Sequence, residues 1–159
     1  MNWQQLAATS HYQTAVSVAE TLAAGDVADA SAGLQELIDA VARSERRALR
    51  SQLVRLMAHI LKWYAQPDKR TPSWSLSIYQ AREEIASIQD EVPSLNREAI
   101  EDIWVACLQA AKKQAQAETQ QRTKTANLGW DEVFNQDYFV GKGETKSSRK
   151  DRRRSPNGR

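Results

Sequence analysis

Three polar residues, Glu45, Gln52 and His59, stand seven apart inside an apolar helical stripe. A seven-residue step drifts only about 20° around a helix. All three therefore share an arc with Leu34, Val41, Leu49, Leu56 and Trp63. Arg82 and Glu84 flank the apolar seam of a later helix on opposite sides, and Lys112 lies on the helix after that. One reading is a pocket in which His59 and carboxylates do acid–base chemistry or hold a metal. The other is a buried polar network, Glu45–Gln52–His59–Arg82–Glu84, that fixes helix register, since buried polar groups cost free energy unless paired. The second is the expected one. A di-iron bundle places a glutamate three residues before each liganding histidine, and neither His11 nor His59 has one. The chain lacks G-x-S-x-G, a phosphate-binding loop, H-E-x-x-H and C-x-x-C. Cys107 falls on an inner helical face, where packing is its expected role. No catalytic residue is assigned, and neither a metal nor a cofactor is expected.

Those residues need helices to carry them, and the apolar positions recur at three and four throughout. The expected fold is all-α: one bundle of about four helices over residues 1–140, a short aromatic C-terminal element, and a disordered basic tail over 141–159. The first helix is expected from about Asn2 to Ala24, with Leu6, Ala15, Val18, Ala19 and Leu22 on one side and Gly25 as its stop. The second runs from about Gly33 to Tyr64, capped by Asp29 or Ser31, with Leu34, Ile38, Val41, Leu49, Leu53, Leu56, Ile60 and Trp63 on its buried stripe. Pro67 ends it. Thr71 and Pro72 open the third, whose seam is Trp74, Ile78, Ala81, Ile85 and Ile88. Ser94 or Asn96 caps the fourth, with Leu95, Ala99, Ile103, Ala106, Cys107 and Ala110 inside. Trp130, Phe134, Tyr138 and Phe139 are expected to fold back and seal the bundle.

Charge is unevenly spread. Residues 141–159 carry eight Lys and Arg against Glu144 and Asp151, which leaves 14 basic and 18 acidic residues for the rest. An acidic body thus carries a basic tail too poor in apolar residues to offset its ordering entropy. Arg149, Lys150, Arg152, Arg153 and Arg154 of that tail, with Arg43, Arg47 and Arg50 of the second helix, are candidate contacts for nucleic acid or an acidic partner. The start lacks a charged n-region followed by an apolar run, and no stretch approaches a membrane span. A cytoplasmic protein with no membrane partner is expected. An unidentified protein partner is expected first and nucleic acid second, and the heptad seam is compatible with a homodimer.

The blocks "ARSERRALRSQL", "HILKWYAQPDKRTPSW" and "EEIASIQDEVPSL" resemble the bacterial family called domain of unknown function 29, frequent in cyanobacteria. The positions that carry the resemblance are Glu36, Ser44, Glu45, Arg46, His59, Lys62, Trp63, Gln66, Pro67, Ser73, Trp74, Ile78, Arg82, Glu84, Ile85, Pro93, Ser94 and Leu95. "DEVFNQDYF" is similar to the family's acidic-aromatic ending. The family's opening is reduced to "SHYQTA", its paired glutamates appear as Glu36-Leu37, and its glycine before Arg-Ser-Glu is Ala42. The resemblance implies a helical bundle in a bacterial cytoplasm and marks Glu45, His59, Arg82 and Glu84 as family-typical. It brings no established activity.

Overall fold

The computed structural model describes residues 1–122 and 127–141. Among them the regular structure is six α-helices and one short 3-10 turn, without a strand. Apart from Gly141, the basic tail expected over 141–159 lies outside the described residues.

The expected first helix is two helices, α1 (Trp3–Thr9) and α2 (His11–Ala23). Ser10 separates them. Its backbone is extended, and its side-chain oxygen accepts from the Gln13 amide to cap α2. Periodicity alone does not reveal this break, because serine is tolerated inside a helix as well as at its cap. Gly25 then stops α2 at a φ of 90°. The Gly25 amide donates to the Leu22 carbonyl and the Asp26 amide to the Thr21 carbonyl, the paired bonds of a Schellman ending.

Helix α3 spans Val27–Ala65, 39 residues, and is therefore about 58 Å long. It starts six residues before the expected Gly33, because Asp26 caps it by accepting from the Asp29 amide. At its other end Arg70 donates to the Trp63 carbonyl and lies over the Trp63 ring. Helix α4 (Pro72–Glu91) begins as expected, with Thr71 at the cap and Pro72 in the first turn. Helix α5 (Arg97–Thr119) is capped by Asn96 and runs through its glutamine-rich stretch to Gln120, which takes a left-handed conformation at φ 56°. A five-residue helix, α6 (Trp130–Phe134), completes the order.

α3 is the spine on which everything else packs. Its C-terminal half meets α4, α5 and α6 in a core built around Leu53, Leu56, Met57, Ile60, Leu61, Ile78, Ile85 and Ile100. Its N-terminal half meets α1 and α2 through a separate buried set of Trp3, Ala7, Thr14, Ala30, Gly33 and Ala40. The Trp3 indole donates to Asp29 at 2.7 Å and fastens α1 to α3.

This division overturns part of the expected stripe. Leu34 and Ile38 are not core residues; 47% and 52% of their surface is exposed. The 20-residue α4 is half the length of α3 and cannot shield all of it, while α1 and α2 take the Ala30–Gly33–Ala40 side. Ala15, Ala19 and Leu22 are likewise exposed, and α2 turns Thr14, Val18 and Thr21 inward. On α5, Ala106 is exposed, whereas Leu108, Ala111 and Ala115 are buried beside Cys107. The α4 seam is as expected, with Trp74 half-buried and Ile78, Ala81, Ile85 and Ile88 buried.

Candidate functional site

Of the expected polar set, Glu45, Gln52 and Glu84 come together. They line one groove between α3 and α4, with Ala48, Ser87, Ile88 and Glu91, of about 280 Å³. The pairing follows from α4 laying its seam along the same face of α3 that carries the seven-residue polar spacing. The Gln52 Oε1 is buried without a hydrogen-bond partner.

His59 does not line that groove. Its Nδ1 lies 2.9 Å from the Arg55 carbonyl oxygen, which only accepts, so Nδ1 carries the proton and donates. Burial pushes its pKa below the usual value, against the pull of that hydrogen bond, and nearby Lys62 and Arg55 push the same way as burial. Lys62 is itself paired with Glu118 at 2.8 Å and lies 4.9 Å from the Trp74 ring. A histidine whose folded pKa is lowered favours the fold when neutral. Its contribution is complete above the unfolded value near 6.5 and fades as pH falls from there towards the folded value. We expect stability to decline on acidification from pH 7.5 to 5.5, and His59→Gln to flatten that decline. Urea unfolding across this range checks it; an unchanged pH slope in the variant would count against it. The Glu118 carboxyl, held low by Lys62, weakens the fold only on further acidification, below its unfolded value near 4.5.

Arg82 also lies apart from the groove. Its Nε donates to the Val133 carbonyl at 2.8 Å, and one terminal nitrogen donates to the carbonyls of Gln136 at 2.7 Å and Glu132 at 3.5 Å. These are the orphan carbonyls at and just beyond the end of α6, where a cation is electrostatically favoured. The guanidinium stacks near Tyr79 and Tyr138. The buried Tyr138 hydroxyl donates to the Glu132 carbonyl at 2.7 Å, and burial raises its pKa strongly. Tyr79 donates to Asp137 and stacks on Phe139, which stays exposed. The aromatic ending does fold back, and Arg82 is its clamp.

A second aromatic group was not evident in the sequence. Trp104 of α5 donates to the Leu128 carbonyl, Trp130 stacks on it at 5.7 Å, and Arg97 lies 4.2 Å over the Trp130 ring. Cys107 is buried, and burial raises its thiol pKa, leaving it a poor nucleophile. Among the described residues, no three His, Cys, Asp or Glu are placed to hold a metal ion.

The arginines form a surface of their own. Arg43, Arg46, Arg47 and Arg50 are exposed. Arg43 and Arg47 edge a groove of about 340 Å³ with His11 at the α1–α2 junction. Arg46, Arg47 and Arg50 edge another of about 360 Å³ with Asp102 and Ile103 of α5. Arg149, Lys150, Arg152, Arg153 and Arg154 lie outside the described residues.

The feature that periodicity hid is the open face of α3. Val27, Leu34 and Ile38 are 61%, 47% and 52% exposed, at spacings of seven and four on one side of the helix. The same repeat continues through Val41 into Glu45, Ala48 and Gln52, where α4 first covers it. The relative lengths of the helices carried this signal in the sequence: a partner of 20 residues leaves the rest of a 39-residue helix unshielded.

Among the described residues no helix is long and apolar enough to cross a membrane. No curated protein and no solved structure matches the chain. The family model described as "Domain of unknown function DUF29" matches residues 8–139. With this match over most of its length, and with the helical architecture above, the chain belongs to the domain of unknown function 29 family.

Proposed function

We propose that this is a non-enzymatic helical interaction protein whose binding surface is the open face of α3. The observation that carries the reading is the exposure of Val27, Leu34 and Ile38 on a helix whose other large apolar residues are buried or half-buried. Leaving Leu34 and Ile38 about half exposed forgoes roughly 1 kcal/mol each of burial, which a partner covering the face would recover. Apolar residues grouped on one helix face suit recognition of another helix. A cytoplasmic setting agrees with a single, buried, free thiol.

The test is capture from native cell extract with the tagged protein, with and without nuclease. A protein retained by the wild type should be lost with Leu34→Glu plus Ile38→Glu, although unfolding free energy changes by less than about 1 kcal/mol at such exposed sites. Equal retention by the double variant would sink the reading.

A second reading, nucleic-acid association, is favoured by the four exposed arginines within two turns of α3. Neither of the ion pairs Lys62–Glu118 and Arg97–Glu101 involves them. Binding through them and the tail would weaken steeply with salt, and retention abolished by nuclease would move the weight to this reading.

A further inference from the structure

We infer that the groove at the α1–α2 junction is a binding site for a small phosphate monoester, held by Arg43 and Arg47 with His11 and Ser44. The site is separate from the open face of α3 and does not depend on the reading of that face.

The groove, of about 340 Å³, is edged by Arg43, Ser44 and Arg47 of α3 and by His11 at the start of α2, with buried Ala7 and Ala40 also lining it. Its volume lies at the lower end of the range of about 300–1,000 Å³ usual for small-ligand pockets. Among the described residues no carboxylate lines it. The groove between α3 and α5 differs in this respect, since Asp102 stands there beside Arg46, Arg47 and Arg50.

Arg43 and Arg47 lie one turn apart on the same side of α3, about 6 Å along its axis, where like charges repel. Neither guanidinium makes a hydrogen bond or ion pair with any described residue. Other arginines are visibly occupied: Arg70 donates to the Trp63 carbonyl, Arg82 to the carbonyls around the end of α6, and Arg97 to Glu101. Arg43 and Arg47 do not bond to the last carbonyls of α1, the role that Arg82 plays for α6. Asp39, one turn before Arg43, accepts from Gln35 and does not line the groove. The Thr9 hydroxyl at the rim donates back to the Gln5 carbonyl, which leaves Ser44 as the free hydroxyl.

These donors select the ligand. Guanidiniums only donate, an imidazole carries a ring N–H in either charge state, and a serine hydroxyl can donate one proton. A phosphate monoester carries a charge of about −1.5 to −2 at neutral pH and three strong acceptor oxygens. Two arginines match that charge, and donors arriving from two helices suit a tetrahedral group. A carboxylate or a phosphodiester carries a single charge and leaves one arginine unmatched.

Amide shifts of the full chain, titrated with inorganic phosphate against chloride of equal ionic strength, test this. Saturating shifts are expected at His11, Arg43, Ser44 and Arg47, with a dissociation constant on the order of 1 mM. Adenosine 5′-monophosphate should move the same amides. Arg43→Gln or Arg47→Gln should each raise the dissociation constant about tenfold, as loss of one charged donor does. Ser44→Glu, which sets a carboxylate between the two guanidiniums, should abolish binding. These three positions are exposed, so helical circular dichroism should be unchanged. Arg46→Gln with Arg50→Gln, outside the groove, should alter binding by less than about twofold. No saturable shift up to about 20 mM phosphate would overturn the inference. So would an equal loss in the Arg46 and Arg50 variant, which would trace binding to the diffuse charge of α3, or a failure of the monophosphate to move these amides. An oligonucleotide whose phosphates are all diesters, bound more tightly than the monophosphate through the same amides, would also overturn it and move the weight to nucleic acid.

Discussion

Replacing Arg82 with alanine is expected to cost about 3 kcal/mol of stability and to release the C-terminal aromatic element from the bundle. Three backbone carbonyls, of Glu132, Val133 and Gln136, accept from this one side chain. A hydrogen bond to a charged donor contributes about 1.5–3 kcal/mol, and stranded acceptors forfeit more. The half-exposed guanidinium and the long bond to Glu132 bring the total down. Tyr138 and Val133, both fully buried, would lose their anchorage together, so proteolysis should begin near residues 135–140. Arg82→Lys should recover little, because an ammonium lacks the planar fork that reaches separate carbonyls. Chemical unfolding with protease mapping measures both effects. A loss under about 1 kcal/mol, at the level of an ordinary surface contact, would mean that the aromatic packing alone holds the element.

Gly33→Ala is expected to destabilise the protein by about 2 kcal/mol, although the same exchange in an open helix would stabilise it by about 1 kcal/mol. A methyl at this position would lie 2.7 Å from two atoms of the Trp3 ring and 2.8 Å from a methyl of Val18. Trp3 cannot swing aside freely, since its indole is bonded to Asp29. Overpacking of this degree costs about 1–3 kcal/mol or more and outweighs the gain in helix propensity. The damage should be local: α1 loosens from α3 while the α3–α4–α5 core persists. Amide exchange resolved along the chain would display it. An unchanged or increased stability would mean that α1 shifts without penalty.

Much of the fold was legible because helix ends announce themselves chemically. Thr71 with Pro72, Asn96 and Gly25 each sit where the sequence predicts an end, since an oxygen cap, a missing donor or a left-handed residue acts locally. The break at Ser10 was not legible, because a serine caps a helix only when the packing of its neighbours favours the bend. The open face of α3 stayed hidden because the 3.6-residue period is the same for a core face as for one awaiting a partner. The groove was partly legible. Glu45, Gln52 and Glu84 meet there because heptad spacing survives when one helix lies along another. His59 keeps the spacing yet has different company, since the carboxylate that influences it, Glu118, arrives from α5. Arg82 was recognisable as a partner for something buried, but its acceptors are main-chain oxygens some 50 residues away, which no side-chain pattern encodes.

The two buried clusters share a single uninterrupted helix, and this makes α3 a ruler of rotational phase. α1 and α2 grip it up to about Ala40, and the α4–α5 core grips it from about Leu49. Adding or deleting one residue between those points would turn one grip by about 100° against the other and slide it by about 1.5 Å. A seven-residue insertion, by contrast, would lengthen the molecule and nearly restore the phase. The number of residues from Val41 to Ala48 is therefore fixed by the two grips, whichever side chains line the grooves there.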